Sequence, residues 1–218
     1  MGQGLWIGRP VELPGSRPLQ TEAEIGPDFG GLSEWPSDHV VKVLCFYHPD
    51  DAEAVKADQE DTVRRLFHAC RRNRLEFLLE IIPSKSGEVS DRTTAEVIER
   101  FYELGIYPDW WKLEPLKTES AWGLATSAIA KNDPHCRGIV VLGLDAPAEE
   151  LAASFELAAR HDIVKGFAVG RTIFGDTGRK WFAQEVTDQQ AITQMAQNYA
   201  ALCKVWDRAR ETSKGCTA

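Results

Sequence analysis

The 218-residue sequence lacks any long apolar run, any excess of basic residues and any closely paired cysteines. No stretch approaches the roughly 18 apolar residues of a membrane span, and the first ten residues lack the basic-then-apolar order of a signal peptide. The net charge of −8 argues against a nucleic-acid partner, because phosphate backbones are bound by clustered lysine and arginine. These absences predict a cytoplasmic protein with neither a membrane nor a nucleic-acid partner.

The five cysteines are odd in number, and no two of them form a CxxC pair. Disulfide frameworks and zinc sites depend on paired, regularly spaced cysteines, so the sequence predicts neither. Such scattered cysteines are typical of a reducing compartment. The His48-Pro49-Asp50-Asp51 turn has nitrogen and oxygen ligands, but nothing else with metal spacing accompanies it. We therefore expect no metal and no cofactor.

Apolar strands and helical segments alternate along most of the chain. The predicted strands are Leu5–Leu13, Val40–Tyr47, Glu76–Ile82, Asp109–Glu114, Gly138–Leu144 and Val164–Val169. The predicted helices are Ala52–Arg72, Thr93–Leu104, Ser120–Lys131, Ala148–His161 and Asp188–Arg210. Strands joined by helices of this length pair in parallel, and no glycine-rich phosphate loop follows the first strand, as a doubly wound sheet would require. We predict one α/β domain over residues 1–218, a TIM-barrel-like (β/α) fold with about six parallel strands.

Two segments lie outside this alternation. Residues 16–38 have no periodicity and predict a long surface loop between the first two strands, which is either functional or flexible. Residues 211–218 follow the last predicted helix and are predicted to be a disordered tail. Within the first helix, the acidic run Asp58–Asp61 is interpreted as a solvated helix face.

Charged residues interrupt three of the apolar strands. Lys112 lies in DWWKLE, Glu80 in FLLEII and Lys42 in VVKVL. The carboxyl ends of the strands form the active site of a parallel barrel, so these positions are candidates for catalysis. Burial in general favours the neutral amine of a lysine, which can attack a carbonyl group and form a Schiff base. Lys112 is thus either such a nucleophile or a lysine that reaches solvent or pairs with Glu114.

The other two charged residues also leave alternatives open. Glu80 either transfers protons or forms an ion pair with Lys42 or Lys112. Lys42 is a second cation that could hold a substrate oxygen near the nucleophilic amine. Glu114 shares a strand face with Lys112, since side chains two residues apart point the same way, and we include it among the substrate-binding candidates.

The last two strands carry a candidate phosphate site. Gly170 allows close approach of a ligand to the backbone, and Arg171 supplies several hydrogen-bond donors. Gly143 ends the preceding strand. Barrels commonly bind phosphate after their last two strands, where a short helix begins. The sequence therefore predicts a phosphorylated sugar as the ligand.

The strand segments VVKVLCFYHPDD, FLLEIIP, PDWWKLEP, RGIVVLGLDAP and VKGFAVGRTIFG, with LWIGRPVELPGSRPL, resemble a known family. This is the C-terminal domain, of unknown function, that follows the sugar-kinase domain in bacterial inositol-catabolism proteins, and the likeness runs from about Gly4 to about Arg210. More distantly the segments resemble class I tagatose-bisphosphate aldolases, which are metal-free (β/α)8 barrels. That resemblance implies that Lys112 is the Schiff-base lysine, Glu80 the acid/base, Lys42 a substrate contact and Arg171 the phosphate ligand.

The resemblance also implies what the protein does. It aligns Leu5–Leu13 with the third strand of the aldolase barrel, so we expect a barrel without its first two strands and, because an open edge needs cover, a homo-oligomer. The implied activity is a lyase reaction on 2-deoxy-5-keto-gluconate 6-phosphate, giving dihydroxyacetone phosphate and malonate semialdehyde. Two alternatives remain: a non-catalytic phosphosugar-binding or partner-binding domain, and a phosphosugar isomerase with Glu80 as its base.

Overall fold

Residues 5–144 and 146–215 are described by the structure, a computed structural model. The strands are Ile7–Pro10 (β1), His39–Cys45 (β2), Glu76–Ile81 (β3), Trp110–Leu113 (β4), Gly138–Leu142 (β5) and Val164–Ala168 (β6). The α-helices are Glu53–Asn73 (α1), Thr93–Glu103 (α2), Glu119–Asn132 (α3), Ala148–Ala158 (α4), Arg171–Phe182 (α5) and Asp188–Gly215 (α6). The six strands follow chain order in one sheet. The predicted α/β, TIM-barrel-like (β/α) fold with six strands is confirmed.

The structure differs from the sequence prediction at its C-terminal end. Helix α5 was not predicted, and α6 continues to Gly215, into the range 211–218 for which a disordered tail was predicted. Residues 216–218 lie outside the described part of the chain. None of the helices in the described residues has the length and apolar character that crossing a membrane requires.

The chain divides into two compact units. The first unit is Met1–Lys112 with Gly123–Gly138, and the second is Leu113–Trp122 with Ile139–Ala218. The boundary runs through β4 and α3.

The core of the first unit lies between the sheet and α1. Strand β2 pairs in parallel with β1 on one side and with β3 on the other. Its residues Val41, Val43 and Cys45 are completely buried, as are Val63 and Leu66 of α1, which packs against β2 and β3. Because side chains alternate along a strand, the even-numbered residues of β2 project from the opposite face of the sheet.

The segment 16–38 is packed against the rest of the first unit and contains two short 3-10 turns, Ala23–Ile25 and Gly30–Glu34. Its buried apolar side chains are Leu19, Ile25, Phe29 and Leu32. The backbone N–H of Glu22 donates to the carbonyl of Val11 at 2.8 Å, so the segment turns back onto the chain that leaves β1. This pairing fixes the backbone that follows β1.

The second unit contains a parallel pair of strands, β5 and β6, and helices α4, α5 and α6. Helix α6 packs against both α4 and α5. The Phe155 ring stacks on Phe167 with centroids 4.9 Å apart, and Trp206 packs edge-on against Phe155 at 5.5 Å. These three aromatic rings join α4, β6 and α6 into the core of this unit.

Candidate active site

The pairing of the strands places two predicted site residues on one face of the sheet. Lys42 lies beside Pro10 of β1 and Leu78 of β3, and Leu44 lies beside Glu80. Paired residues of neighbouring parallel strands point to the same side, as do residues two apart in one strand. Lys42, in the middle of β2, and Glu80, near the carboxyl end of β3, therefore share the face opposite to α1.

Four charged side chains of the first unit meet at this face, and they are called here the strand-end cluster: Glu12, Lys42, Glu80 and Lys112. The Nζ atom of Lys112 lies 3.0 Å from Oε1 of Glu80, and Nζ of Lys42 lies 2.7 Å from Oε2 of Glu80. Lys42 also forms an ion pair with Oε1 of Glu12. Glu80 thus bridges two lysines, so both ion pairs that the sequence left open are present at once.

Glu12 is the one member of the cluster that the sequence analysis did not select. It follows β1 by two residues, and the N–H of Val11 donates to the carbonyl of Lys42 at 3.1 Å. Glu12 also forms an antiparallel β-bridge with Thr21, which fixes its backbone from the other side. The signal was present in LWIGRPVEL, because Glu12 is a charged residue at the carboxyl end of an apolar strand. The criterion that selected Lys42, Glu80 and Lys112 applies equally to it.

The cluster is largely withdrawn from solvent. The side chains of Glu12 and Glu80 are 7% and 6% exposed, and each lysine side chain is 18% exposed. Burying four charges is costly, and the alternation of two anions with two cations offsets that cost. Burial alone would lower the pKa of Lys42, but the carboxylates of Glu80 and Glu12 outweigh it and raise that pKa above its usual 10.5. Lys42 therefore keeps its positive charge at neutral pH.

The two lysines have different surroundings, and this difference suits them to different tasks. Within the described residues, Lys42 pairs with two carboxylates and Lys112 with one. A Lys42 side chain that is held by two carboxylates and charged at neutral pH can attract an anionic oxygen. The amine of Lys112 can pass a proton to Glu80 across 3.0 Å, which is within the reach of direct proton transfer.

The remaining predicted site residues belong to the second unit: Glu114, Gly143, Gly170 and Arg171. Glu114 follows β4 and is 5% exposed. Arg171 is the first residue of α5, where the backbone N–H groups of the first turn have no partner within the helix. The binding of an anion at this helix start stays a prediction.

Packing within the second unit already explains the two glycines that were predicted as site residues, Gly143 and Gly170. A Cβ atom at Gly143 would lie 2.9 Å from the side chain of Val169, and one at Gly170 would lie 3.1 Å from the ring of Phe174. Contacts at the shorter of these distances are essentially never seen between real Cβ atoms and their neighbours. A larger residue at either place would therefore displace a neighbouring side chain.

The histidine turn has a structural role. The N–H of Asp50 donates to Nδ1 of His48 at 3.1 Å, and Nε2 of His48 lies 2.8 Å from the carbonyl of Glu88. With Nδ1 accepting, Nε2 carries the proton and donates it, so the ring fastens the loop after β3. Over residues 5–144 and 146–215, no three His, Cys, Asp or Glu side chains are grouped as a metal site would need.

The protein is an α/β protein with an aldolase-like fold. The structure resembles that of a fructose-bisphosphate aldolase from Plasmodium falciparum, solved in a ternary complex with TRAP and a small-molecule inhibitor. The two share 15% identity with a TM-score of 0.55, over 94% of this chain and 67% of the aldolase chain. At that identity the likeness establishes the fold alone.

The sequence itself identifies the family. The model of the family DUF2090, described as an uncharacterized protein conserved in bacteria, matches residues 1–210, so the chain belongs to this family. No curated protein matches the sequence.

Proposed function

We propose that the strand-end cluster carries out Schiff-base chemistry and that the protein is a class I aldolase-like lyase of the cytoplasm. The observation that carries this proposal is the 3.0 Å contact between the amine of Lys112 and a carboxylate, Glu80, that Lys42 also contacts. An amine, a proton acceptor and a fixed positive charge are the three groups that imine formation and carbon–carbon cleavage need.

Imine formation begins with proton transfer from the Lys112 ammonium group to Glu80. The neutral amine then adds to the ketone carbon and gives a carbinolamine. Glu80 returns its proton to the departing oxygen, which leaves as water, and a protonated imine remains on Lys112. Lys42, which stays charged, stabilises the negative charge that develops on the ketone oxygen during the addition.

Carbon–carbon cleavage uses the imine as its electron sink. The Glu80 carboxylate removes the proton of the hydroxyl group on the carbon β to the imine carbon. The bond between the α and β carbons breaks, and the β carbon leaves as an aldehyde. The electrons of the broken bond form an enamine on Lys112. Glu80 then protonates the enamine carbon, and water hydrolyses the imine and releases the second product.

The proposed substrate is a phosphorylated keto-sugar acid. The resemblance to the C-terminal domain of inositol-catabolism proteins supports 2-deoxy-5-keto-gluconate 6-phosphate, whose cleavage gives malonate semialdehyde and dihydroxyacetone phosphate. Arg171 at the start of α5, with Gly170 and Gly143, is proposed to bind the phosphate, and Glu114 to contact the substrate. Glu12 is proposed to hold Lys42 in place. Its Oε2 atom is buried without a hydrogen-bond donor among the described residues, so it can also accept a bond from a substrate hydroxyl.

Borohydride trapping tests the proposal. The protein is incubated with phosphorylated keto-sugars or with dihydroxyacetone phosphate and reduced, and the adduct is mapped by mass spectrometry. We expect one adduct on Lys112 that is absent in Lys112→Ala. Lys42→Ala is the matched control, because it removes the other lysine of the cluster and leaves the nucleophile in place.

Three outcomes separate the alternatives. An adduct on Lys42, and none on Lys112, would contradict the assigned roles. Thermal stabilisation by a phosphosugar without any adduct or product would indicate a binding domain. Exchange of a substrate proton with solvent, again without an adduct, would indicate an isomerase in which Glu80 is the base.

A further inference from the structure

Helix α5 presents an apolar stripe to solvent. The exposed side chains are Phe174 at 48%, Trp181 at 42% and Phe182 at 81%. Together with Gly178 they occupy positions i, i+4, i+7 and i+8, which lie on one face of a helix. A surface helix normally turns such a face toward a core. The stripe therefore has the pattern of a buried helix face although it lies at the surface of this chain.

Two glycines inside α5 point to the same conclusion. Gly175 and Gly178 both weaken the helix, since glycine is a poor helix former. At Gly178 a Cβ atom would meet nothing within 4 Å, so packing within the chain gives no reason for a glycine there. Gly143 and Gly170 differ, because neighbouring side chains fill the space beside them. A glycine with open space beside it, between exposed aromatic rings, suits the close approach of a second helix.

We propose that α5 of one copy packs antiparallel against α5 of a second copy, about a two-fold axis near Gly178. Residues equally distant from Gly178 then face each other across the axis. Phe182 of one copy meets Phe174 of the other, and Trp181 meets Gly175, so a large residue lies opposite a small one. This self-complementarity is what an isologous interface requires.

Charge complementarity favours a second copy as the occupant. The stripe itself carries no charged residue, so no like charges are buried when two copies meet. Arg171 at the start of α5 and Glu185 just beyond its end are each seven residues from Gly178, so the antiparallel arrangement brings Arg171 of one copy toward Glu185 of the other. The basic residues of the last turn, Arg179 and Lys180, pair with Asp176 of their own helix.

The exposed area is sufficient for the centre of a small interface. Three aromatic side chains, each exposed by about half or more, offer on the order of 350 Å² per copy. A standard interface uses about 800 Å² per partner, so the stripe supplies nearly half and the flanking turns of α5 complete it. The exposed stripe of α5 would be the contact surface of the predicted homo-oligomer. This proposal does not depend on the proposed enzymatic function.

Sedimentation equilibrium of the full chain over a wide range of concentrations tests the proposal. We expect twice the mass of one chain for the parent protein, and a dimer dissociation constant raised about tenfold or more in Phe182→Ser, since exposed aromatic anchors dominate interface energies. Gly178→Gln should abolish the dimer because its side chain occupies the contact. The control is Ile192→Ser, which removes a side chain 61% exposed on α6, outside the stripe, and should leave the dimer intact.

Thermal unfolding of Gly178→Gln separates a blocked interface from a damaged fold. Glutamine is a better helix former than glycine, and its side chain meets open space in the single chain. The Gly178→Gln monomer should therefore have a melting temperature at least as high as that of the Phe182→Ser monomer. A parent chain that is monomeric at every concentration would overturn the proposal. A dimer that survives in both Phe182→Ser and Gly178→Gln would overturn it equally.

Discussion

Two buried carboxylates of the first unit, Glu80 and Glu60, have contrasting partners. Glu60 accepts hydrogen bonds from Nε and Nη2 of Arg100, at 2.8 Å each, and from the hydroxyl of Tyr47 at 2.6 Å. Glu80 instead lies between the amines of Lys42 and Lys112. Tyr47, Glu60 and Arg100 are called here the helix cluster, because Glu60 lies on α1 and Arg100 on α2. Both clusters bury an anion beside cations.

The difference between the two clusters is the chemistry of the cation. The guanidinium group of arginine does not lose its proton in proteins, and its planar fork fits a carboxylate with two parallel bonds. The helix cluster can therefore only hold α1 and α2 together. A lysine amine can lose its proton and attack a carbonyl carbon. A buried ion pair is thus weak evidence of catalysis by itself, and the identity of the cation decides what it can do.

Replacing the cation of each cluster in turn should separate the two clusters most strongly, through the rate of carbon–carbon cleavage. Lys112→Met should lower the rate of carbon–carbon cleavage by at least about a thousandfold, because no other group replaces a covalent nucleophile. Arg100→Met should leave the rate unchanged at a temperature where both variants are folded. Steady-state kinetics on the phosphorylated keto-sugar acid measure both. Equal losses in the two variants would show that the assay reports folding and not chemistry.

Replacing the carboxylate of each cluster tests which of them takes part in proton transfer. Glu80→Gln keeps the size of the side chain but cannot accept a proton, and it should slow adduct formation on Lys112 by about 10²- to 10⁴-fold. Glu60→Gln is the matched control and should leave that rate unchanged. Single-turnover borohydride trapping at successive times measures the step directly. Undiminished trapping in Glu80→Gln would assign the proton transfer to another group.

The sequence predicted the strand–helix alternation because parallel strands buried on both faces are almost continuously apolar. Helix α5 was missed because Gly175 and Gly178 interrupt it and its aromatic residues face solvent, so neither propensity nor a buried stripe marks it. The segment 16–38 was predicted to be a surface loop because its buried side chains have no regular spacing. Isolated apolar residues in a loop cannot be distinguished from exposed ones by periodicity.

The same limits apply to the charged residues. Lys42, Glu80 and Lys112 were predictable because each interrupts an apolar strand, where a charge needs a reason. The interpretation of Asp58–Asp61 as a solvated helix face is wrong for Gln59 and Glu60, which are 0% and 8% exposed. Polar residues on a helix are normally solvated, and only the tertiary position of Arg100 and Tyr47 reveals why Glu60 is buried. Partners distant in sequence leave no local pattern.

A smaller effect should separate the clusters in stability. Arg100→Met should lower the free energy of unfolding by about 2 kcal/mol, since Glu60 loses a bidentate charged partner. Arg100 is 46% exposed, which keeps this cost below the roughly 3–5 kcal/mol of a fully buried pair. The control is Arg92→Met, whose exposed ion pair with Glu96 should contribute less than about 0.5 kcal/mol. Urea unfolding measures both, and equal losses would contradict the structural role of the helix cluster.

The two clusters should also differ in how their contributions to stability depend on pH, and this effect should be smaller than those above. Burial alone would raise the pKa of Glu60, but the bonds from Arg100 and Tyr47 outweigh it and hold that pKa below the usual 4.5. The stabilisation by this carboxylate is therefore present above about pH 4.5 and is lost as the pH falls through the lower, folded-state value. Lys42 behaves in the opposite way, because its pKa is raised. Its contribution is complete below about pH 10.5 and is lost as the pH rises through the folded-state value.

Unfolding free energies measured across pH should show these two losses as separate slopes. One titrating group changes stability by at most about 1.4 kcal/mol per pH unit. Glu60→Gln should remove part of the acid-side slope and leave the alkaline side unchanged, and Lys42→Met should do the reverse. If Lys42→Met left the alkaline slope intact, Lys42 would not be held as a cation by Glu80 and Glu12. Without that fixed charge, the distinction between a nucleophilic Lys112 and a substrate-binding Lys42 would lose its electrostatic basis.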